Sequence, residues 1–239
     1  MSNTIYATVS RQNGLLKEMQ TVANNIANMA TTGYRAENVI FTEHVKSSGD
    51  GGPSISMATA AARFTTEGQG TLTQTGGTYD LAIEGDGFFQ IETPQGVRLS
   101  RAGSFIPTPE GDLVTPDGYR LLDAGSAPVF VPGDAKSVSI SSDGTLSADG
   151  TPLTQIGLVT PEDPNDLIRE DGVRYRAEGA TIPVENGTMV QGFLEGSNVD
   201  AVGQIARMIE VQRAYEMGQT FLDREDKRLR SIMQLIKQQ

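Results

Sequence analysis

The stretch TVANNIANMATTGY (Thr21–Tyr34) holds both an amphipathic helix and the signal that ends it, and the rest of the chain is read outward from it. At 100° per residue, Met19, Ala23, Ile26 and Ala30 fall on one side of a helix, and Asn24, Asn25 and Asn28 fall roughly opposite. Asn is a poor helix-interior residue because its amide competes for backbone hydrogen bonds, so three so close together require a compensating role. Two readings stand: a solvated polar face on a helix nearing its end, or an amide face bonded to neighbouring subunits. Thr31-Thr32-Gly33 then stops the helix, with Gly33 suited to the left-handed conformation of a C-terminal cap.

Upstream, Asn3 or Thr4 can cap a helix that runs to about Ala30. Ile5, Gln12, Met19 and Ile26 recur every seven residues, and Val9, Leu16, Ala23 and Ala30 stand four further on, a 4-3 seam of coiled-coil type. Such a helix is about 40 Å long. At the far end, Ser197-Asn198-Val199-Asp200 reads as a capping box, and a stretch without proline follows to Gln239. Ala201, Met208, Tyr215, Leu222, Leu229 and Ile236 are spaced by seven, which predicts a second seam about 60 Å long. Gln212, Gln219 and Asp226 interrupt it with polar groups that specify register, and Gly203 and Gly218 point to close helix approach or a local break.

Between the helices the patterning changes. Residues 35–75, with the Gly/Ser/Asp/Pro run SSGDGGPS, read as a linker or extended segment. Residues 76–192 read as an antiparallel β domain, because turn signals such as Asp86-Gly87, Pro94-Gln95-Gly96, Asp149-Gly150 and Asn186-Gly187 punctuate short strand-like runs. The predicted class is therefore mixed α+β: an N-terminal helix (1–34), a linker (35–75), a β domain (76–192) and a C-terminal helix (193–239). Seams this long exceed what one small β domain can cover, which favours an assembly component over a freestanding catalyst.

Composition narrows the chemistry. A net charge of −11 argues against nucleic acid and anionic membrane surfaces, and 37% hydrophobic residues with 27 glycines and no tryptophan suggest thin β layers with many turns. No cysteine is present, which excludes disulfides, zinc-thiolate sites and cysteine nucleophiles. No apolar run is long enough to span a bilayer, and MSNTIYATVSRQNGLL lacks the parts of a Sec signal peptide. His44, the one histidine, has no metal partner in sequence and reads as surface or structural. Glu84-Gly85-Asp86-Gly87 lacks a third glycine, a following helix and a nearby cation, so it reads as a hairpin turn rather than a phosphate loop. Glu162, Asp163 and Asp166 sit in the turn sequence PEDPND with no aromatic platform for a sugar. No catalytic residue, cofactor or metal site is predicted.

Three segments carry a family resemblance. ANNIANMATTGYRAENVIF (23–41), QGTLTQTGGTYDLAIEGDGFFQI (69–91) and GSNVDAVGQIARMIEVQRAYE (196–216) resemble, in that order, the N-terminal, central and C-terminal signatures of flagellar basal-body rod and hook proteins. The continuation VRLSRAGSFIPTPEGDLVTPDGYRLLD (97–123) and the ending AYEMGQTFLDREDKRLRSIM are similar to those of proximal-rod members, with distal-rod members the near alternative. Tyr34 stands where the family more usually has Phe, and Gly203 where an acidic residue is common. The resemblance implies terminal helices paired into an inner coiled-coil domain of a tubular rod, with the β domain outside. It also implies export in an unfolded state by the flagellar type III apparatus, and assembly with other rod proteins and with copies of itself. The implied role is mechanical, as a segment of the drive shaft in the periplasm, with no membrane insertion.

With the resemblance in view, the amide face reads as subunit-facing. The expected interface comprises Ile5, Leu16, Met19, Asn24, Asn25, Ile26, Asn28, Ile205, Met208, Tyr215 and Leu222. Two readings of other classes remain to be discriminated: a carboxylate-dependent hydrolase acting on peptidoglycan, and an export chaperone or adaptor.

Overall fold

A computed structural model of the chain describes residues 2–46, 55–184 and 187–237. The chain divides into two compact units, each assembled from segments remote in sequence. The first takes Met1–Ala27, Glu37–Thr66 and Asp200–Gln239, and the second takes Asn28–Ala36 and Glu67–Val199.

The first unit holds helix α1 (Ser2–Ala27), strands β1 (Glu37–Lys46) and β2 (Ile55–Thr65), and helix α2 (Ala201–Lys237). The two helices run antiparallel, since Gln12 meets Tyr215, Glu18 meets Arg207 and Asn25 meets Gln204. α1 ends slightly before the expected Ala30, where the Thr31 N–H closes a turn on the Asn28 carbonyl at 3.1 Å. At the start of α2, the Asp200 carboxylate accepts the Val202 N–H at 3.2 Å, while the Ser197 hydroxyl accepts only the Val199 N–H just outside the helix. The capping role expected of Ser197 therefore belongs to Asp200.

The segment 35–75 is more structured than the linker read from its composition. β1 and β2 form an antiparallel ribbon in register from Glu37↔Thr65 to Lys46↔Ile55, with a bulge at Ile40/Phe41. The breakers of SSGDGGPS are confined to the sequence between the strands, and the strands themselves are rich in Val, Ile, Thr, Phe and Ala without glycine or proline. His44 lies in β1, and its surface or structural reading concerns a side chain outside the described residues.

The second unit is built of short antiparallel strands, beginning with β3 (Leu72–Gln74), β4 (Leu81–Glu84), β5 (Phe88–Thr93) and β6 (Gly96–Ser100). Leu81, Ile83, Phe89, Leu113, Leu121 and Leu146 centre its core, and Phe89 meets Phe105 edge-on at 5.4 Å. The turn chemistry follows the sequence at Asp149-Gly150, where φ values of +50° and +79° between the paired Ala148 and Thr151 make a type I′ turn. The Asn186 part of the Asn186-Gly187 reading lies outside the described residues. Glu84-Gly85-Asp86-Gly87 is not a hairpin turn, because β4 pairs with Thr188–Gln191 while β5 pairs with β6. It is a crossover between sheets, with Gly85 at φ +95° and Gly87 at φ +110°. The incoming and outgoing chain lie side by side, β3 pairing with Phe193–Glu195.

Candidate functional site

In the second unit the parts of the signature segments around Gly33–Ala36, Gly70 and Gly85–Gly87 meet a buried ionic cluster whose Arg101 and Glu195 lie outside those segments. Gly33 adopts φ +71°, and a Cβ there would lie 2.3 Å from the Ala102 backbone nitrogen, so only glycine allows the backbones to approach this closely. That approach seats Tyr34 and Arg35 in the interior. Arg35 pairs with Glu195 at 2.9 Å, and Arg101 pairs with the other oxygen of the same carboxylate at 2.8 Å. Glu195 is wholly buried and also accepts the Gly70 N–H at 3.0 Å. Arg101 donates further to the carbonyls of Gly87 and Gly85 at 2.6 and 3.0 Å, which gives the crossover loop its purpose.

Two cations share the Glu195 carboxylate here. Burial lowers the Arg101 pKa from its ordinary value, Glu195 opposes that shift, and repulsion from Arg35 adds to it. Beside the cluster, the Arg169 guanidinium lies 4.4 Å from the Tyr34 ring centre and 4.7 Å from that of Tyr175, and it donates to the Tyr175 hydroxyl at 2.7 Å. The Asn198 side chain completes the junction: its oxygen accepts the Ala36 N–H at 2.6 Å and its nitrogen donates to the Gly68 carbonyl at 2.7 Å. None of Arg35, Arg101, Glu195, Arg169 or Asn198 was singled out from sequence. Arg101, Arg169 and Glu195 lie outside the signature segments, and Asn198 entered only as the second residue of the capping box.

The first unit shows how the helical seams are used. In α1 the inward or partly inward positions include Ile5, Thr8, Gln12, Leu15, Met19, Val22 and Ile26. The seven-residue line read from sequence thus faces inward, but its companion line stands three residues on rather than four. Val9, Leu16 and Ala23 are left at the surface, Val9 and Leu16 being 41% and 43% exposed. In α2 the half-buried and buried line runs Gln204, Met208, Val211, Tyr215, Gly218 and Leu222. Gly218 admits the Gln12 side chain, whose nitrogen reaches the Tyr215 carbonyl at 2.9 Å. Glu18 binds Arg207 at 2.7 Å, which raises the arginine's pKa.

The expected interface residues separate by environment. Leu16, Asn24 and Ile205 are exposed; Ile5, Met19, Ile26, Asn28, Met208, Tyr215 and Leu222 are partly buried; Asn25 is fully buried. Asn25 departs from the subunit-facing expectation. Its nitrogen donates to the Glu37 carbonyl at 2.8 Å and its oxygen accepts the Glu37 N–H at 3.0 Å, so the amide is satisfied by the first residue of β1 as a strand partner would satisfy it. The nitrogen also reaches Gln204 at 3.2 Å. Asn28 is bonded locally, its side-chain oxygen accepting the Thr31 hydroxyl at 3.1 Å.

Exposed apolar side chains concentrate on the first unit: Tyr6 and Val9 on α1, Phe41 and Phe64 on the ribbon, and Val202, Ile205, Met217 and Leu235 on α2. Val202 is 79% exposed and Met217 67%. Among the described residues no cluster of three or more metal-ligating side chains occurs, and no helix is long and apolar enough to cross a membrane. PEDPND forms a surface turn in which Asp163 caps Asn165 at 2.9 Å.

Comparison with known proteins gives three family matches along the chain. Family models described as flagella basal body rod protein, flagellar hook protein FlgE/F/G D1 domain and flagellar basal body rod FlgEFG protein C-terminal match residues 5–35, 82–148 and 190–235. The chain is 39% identical over 241 residues to a flagellar basal-body rod protein FlgF of Caulobacter vibrioides, covering 98% of each. It is 36% identical over 221 residues to FlgF of Rhizobium meliloti, covering 90% of each. To FlgG of Bacillus subtilis it is 32% identical over 262 residues, covering 98% of this chain and 99% of the relative.

Proposed function

This chain belongs to the flagellar basal-body rod protein family, and on that premise we propose that its first unit is the surface through which rod subunits stack. The chain is a structural subunit of the flagellar basal body and not an enzyme, which removes the peptidoglycan hydrolase reading, and it is most like the FlgF members. Its place is the proximal rod, its neighbours are other rod proteins and further copies of itself, and it arrives by flagellar type III export as an unfolded chain. The observation that carries the stacking role is the exposed apolar line of α1 and α2, with Leu16 43% and Ile205 50% exposed. In water such a line costs free energy in proportion to its area, and helix packing against a neighbour removes that cost. In the assembled rod the paired helices continue as a coiled coil with those of adjacent subunits.

The test is a charge placed on that line. Ile205→Asp leaves the unfolding free energy of the purified monomer within about 0.5 kcal/mol of the parent, as expected for an exposed site, and abolishes recovery of the protein in isolated basal bodies. Undiminished recovery with normal motility would refute the stacking role.

A further inference from the structure

Met208, Tyr215 and Leu222 of α2 repeat every seven residues, as do Ile5, Gln12, Met19 and Ile26 of α1. Apolar contact alone therefore scarcely separates this pairing from one displaced by seven residues, or from one made with a helix of another copy. The polar interruptions expected to make the choice, Gln212, Gln219 and Asp226, are exposed on α2. The polar group on the inward heptad line is Gln12 of α1. It is 6% exposed, its nitrogen donates to the Tyr215 carbonyl at 2.9 Å, and its oxygen is a buried acceptor with no hydrogen-bond partner. The Tyr215 carbonyl lies inside α2, where the helix's own bonding already serves it. The contact thus satisfies Gln12 by half and supplies α2 with nothing it lacks. A buried polar group on such terms is a poor source of stability, and its use lies in selection.

We propose that Gln12 and Gly218 form a notched contact that selects the partner and the register of α1. A Cβ at position 218 would lie 1.9 Å from the Gln12 nitrogen and 2.8 Å from its Cδ, so the amide fits only where α2 has no side chain. Backbone carbonyls occur at every level of a helix, so the acceptor is generic and the glycine discriminates. Displacement by seven residues either way sets Gln12 against Val211 or Glu225. Both carry a Cβ, and the amide would be buried with neither end paired. The other glycine of α2, Gly203, is 15 residues away, and a shift of about 22 Å to reach it leaves the second half of α1 with no helix opposite. Two further contacts, Glu18 with Arg207 and Asn25 with Gln204, agree with this register but select it weakly. Arg207 is half-exposed, and Asn25 has its partners in Glu37 of β1. The stability forgone at Gln12, and at a glycine in a helix interior, keeps the inward face of α1 for this chain's own α2.

With no native cysteine, the full-length chain takes nitroxide labels at Lys17→Cys and Arg213→Cys, both exposed. Pulsed dipolar spectroscopy reads the distance between the labels, and sedimentation velocity reads the oligomeric state. The chain with Gln12 and Gly218 intact gives one distance. Gln12→Met keeps the length of the side chain and removes both polar ends. It is expected to add a second population, displaced along the helix axis by about 10 Å for a slip of seven residues, or lost on dilution with unlabelled chain where the partner is another copy. Its urea unfolding midpoint stays at or above the parent's. Gly218→Ala loses the parent distance, while Gln12→Ala with Gly218→Ala folds and shows the mixed distances of Gln12→Met. Gln212→Met, at an exposed position, gives the parent distance alone. One unchanged distance with unchanged sedimentation in Gln12→Met, or in the Gln12→Ala and Gly218→Ala chain should Gln12→Met not fold, overturns the proposal. A parent distance retained by Gly218→Ala does the same, as does a second population from Gln212→Met, which traces the effect to added apolar surface. A Gln12→Met midpoint clearly below the parent's also overturns it, by making Gln12 a stabilising contact.

Discussion

Glu195 holds one negative charge between the guanidinium groups of Arg35 and Arg101 with no exposure to water, so its removal leaves two cations facing each other in a low-dielectric interior. Breaking a buried ion pair from one side costs about 3–5 kcal/mol. Glu195→Gln, close in size and still able to accept a hydrogen bond, is therefore expected to lower stability by about 3 kcal/mol or more in urea unfolding of the monomer. A loss under 1 kcal/mol would show that the cluster carries little of the stability. This cluster was not legible in the sequence. Arg35, Arg101 and Glu195 are far apart along the chain, and pattern reading scores each as a solvated charge. Gly33, by contrast, announced its left-handed conformation by type and position, though not the backbone it would press against.

At the scale of elements, Asn25 links the last turns of α1 to the first residue of β1 by a pair of hydrogen bonds to Glu37. Asn25→Ala exposes no new apolar surface but leaves a buried N–H and a buried C=O unpaired, each worth about 1–3 kcal/mol. The variant is expected to unfold about 2 kcal/mol or more below the parent, with early loss of amide protection in β1. Unchanged monomer stability would restore a purely intersubunit role for this amide. The periodicity made both helices and the Ile5/Gln12/Met19/Ile26 line legible, because heptad spacing is a property of the sequence alone. Which neighbouring line completes the seam depends on where α2 and the ribbon sit, and the apolar choice, Val9/Leu16/Ala23, lost to Thr8/Leu15/Val22. The ribbon itself was obscured because Ala-rich strands such as ISMATAAARFT carry weak propensity, while the breakers between them dominate the local composition.

For the whole molecule, neither unit is a continuous stretch of chain, and the signature segment Asn28–Ala36 belongs with the β strands rather than with the helix it follows. In dilute monomer the amides of residues 33–36 are expected to exchange as slowly as those of β4 and β5. Rapid exchange there beside a protected β core would show that the segment docks only on assembly. The side-by-side pairing of Leu72–Gln74 with Phe193–Glu195 has a further consequence, for chain entropy. Bringing α2 back to α1 means closing a loop that includes about 130 residues of the second unit, Glu67–Val199, at a length-dependent cost of about 4 kcal/mol for a flexible loop. Once the second unit has folded, its two ends already lie together and most of that cost has been met within its own core. The β unit thus serves as a clasp that converts two helices remote in sequence into near neighbours, and a flexible Gly/Ser tether of equal length in its place would leave the helix pair without that advantage.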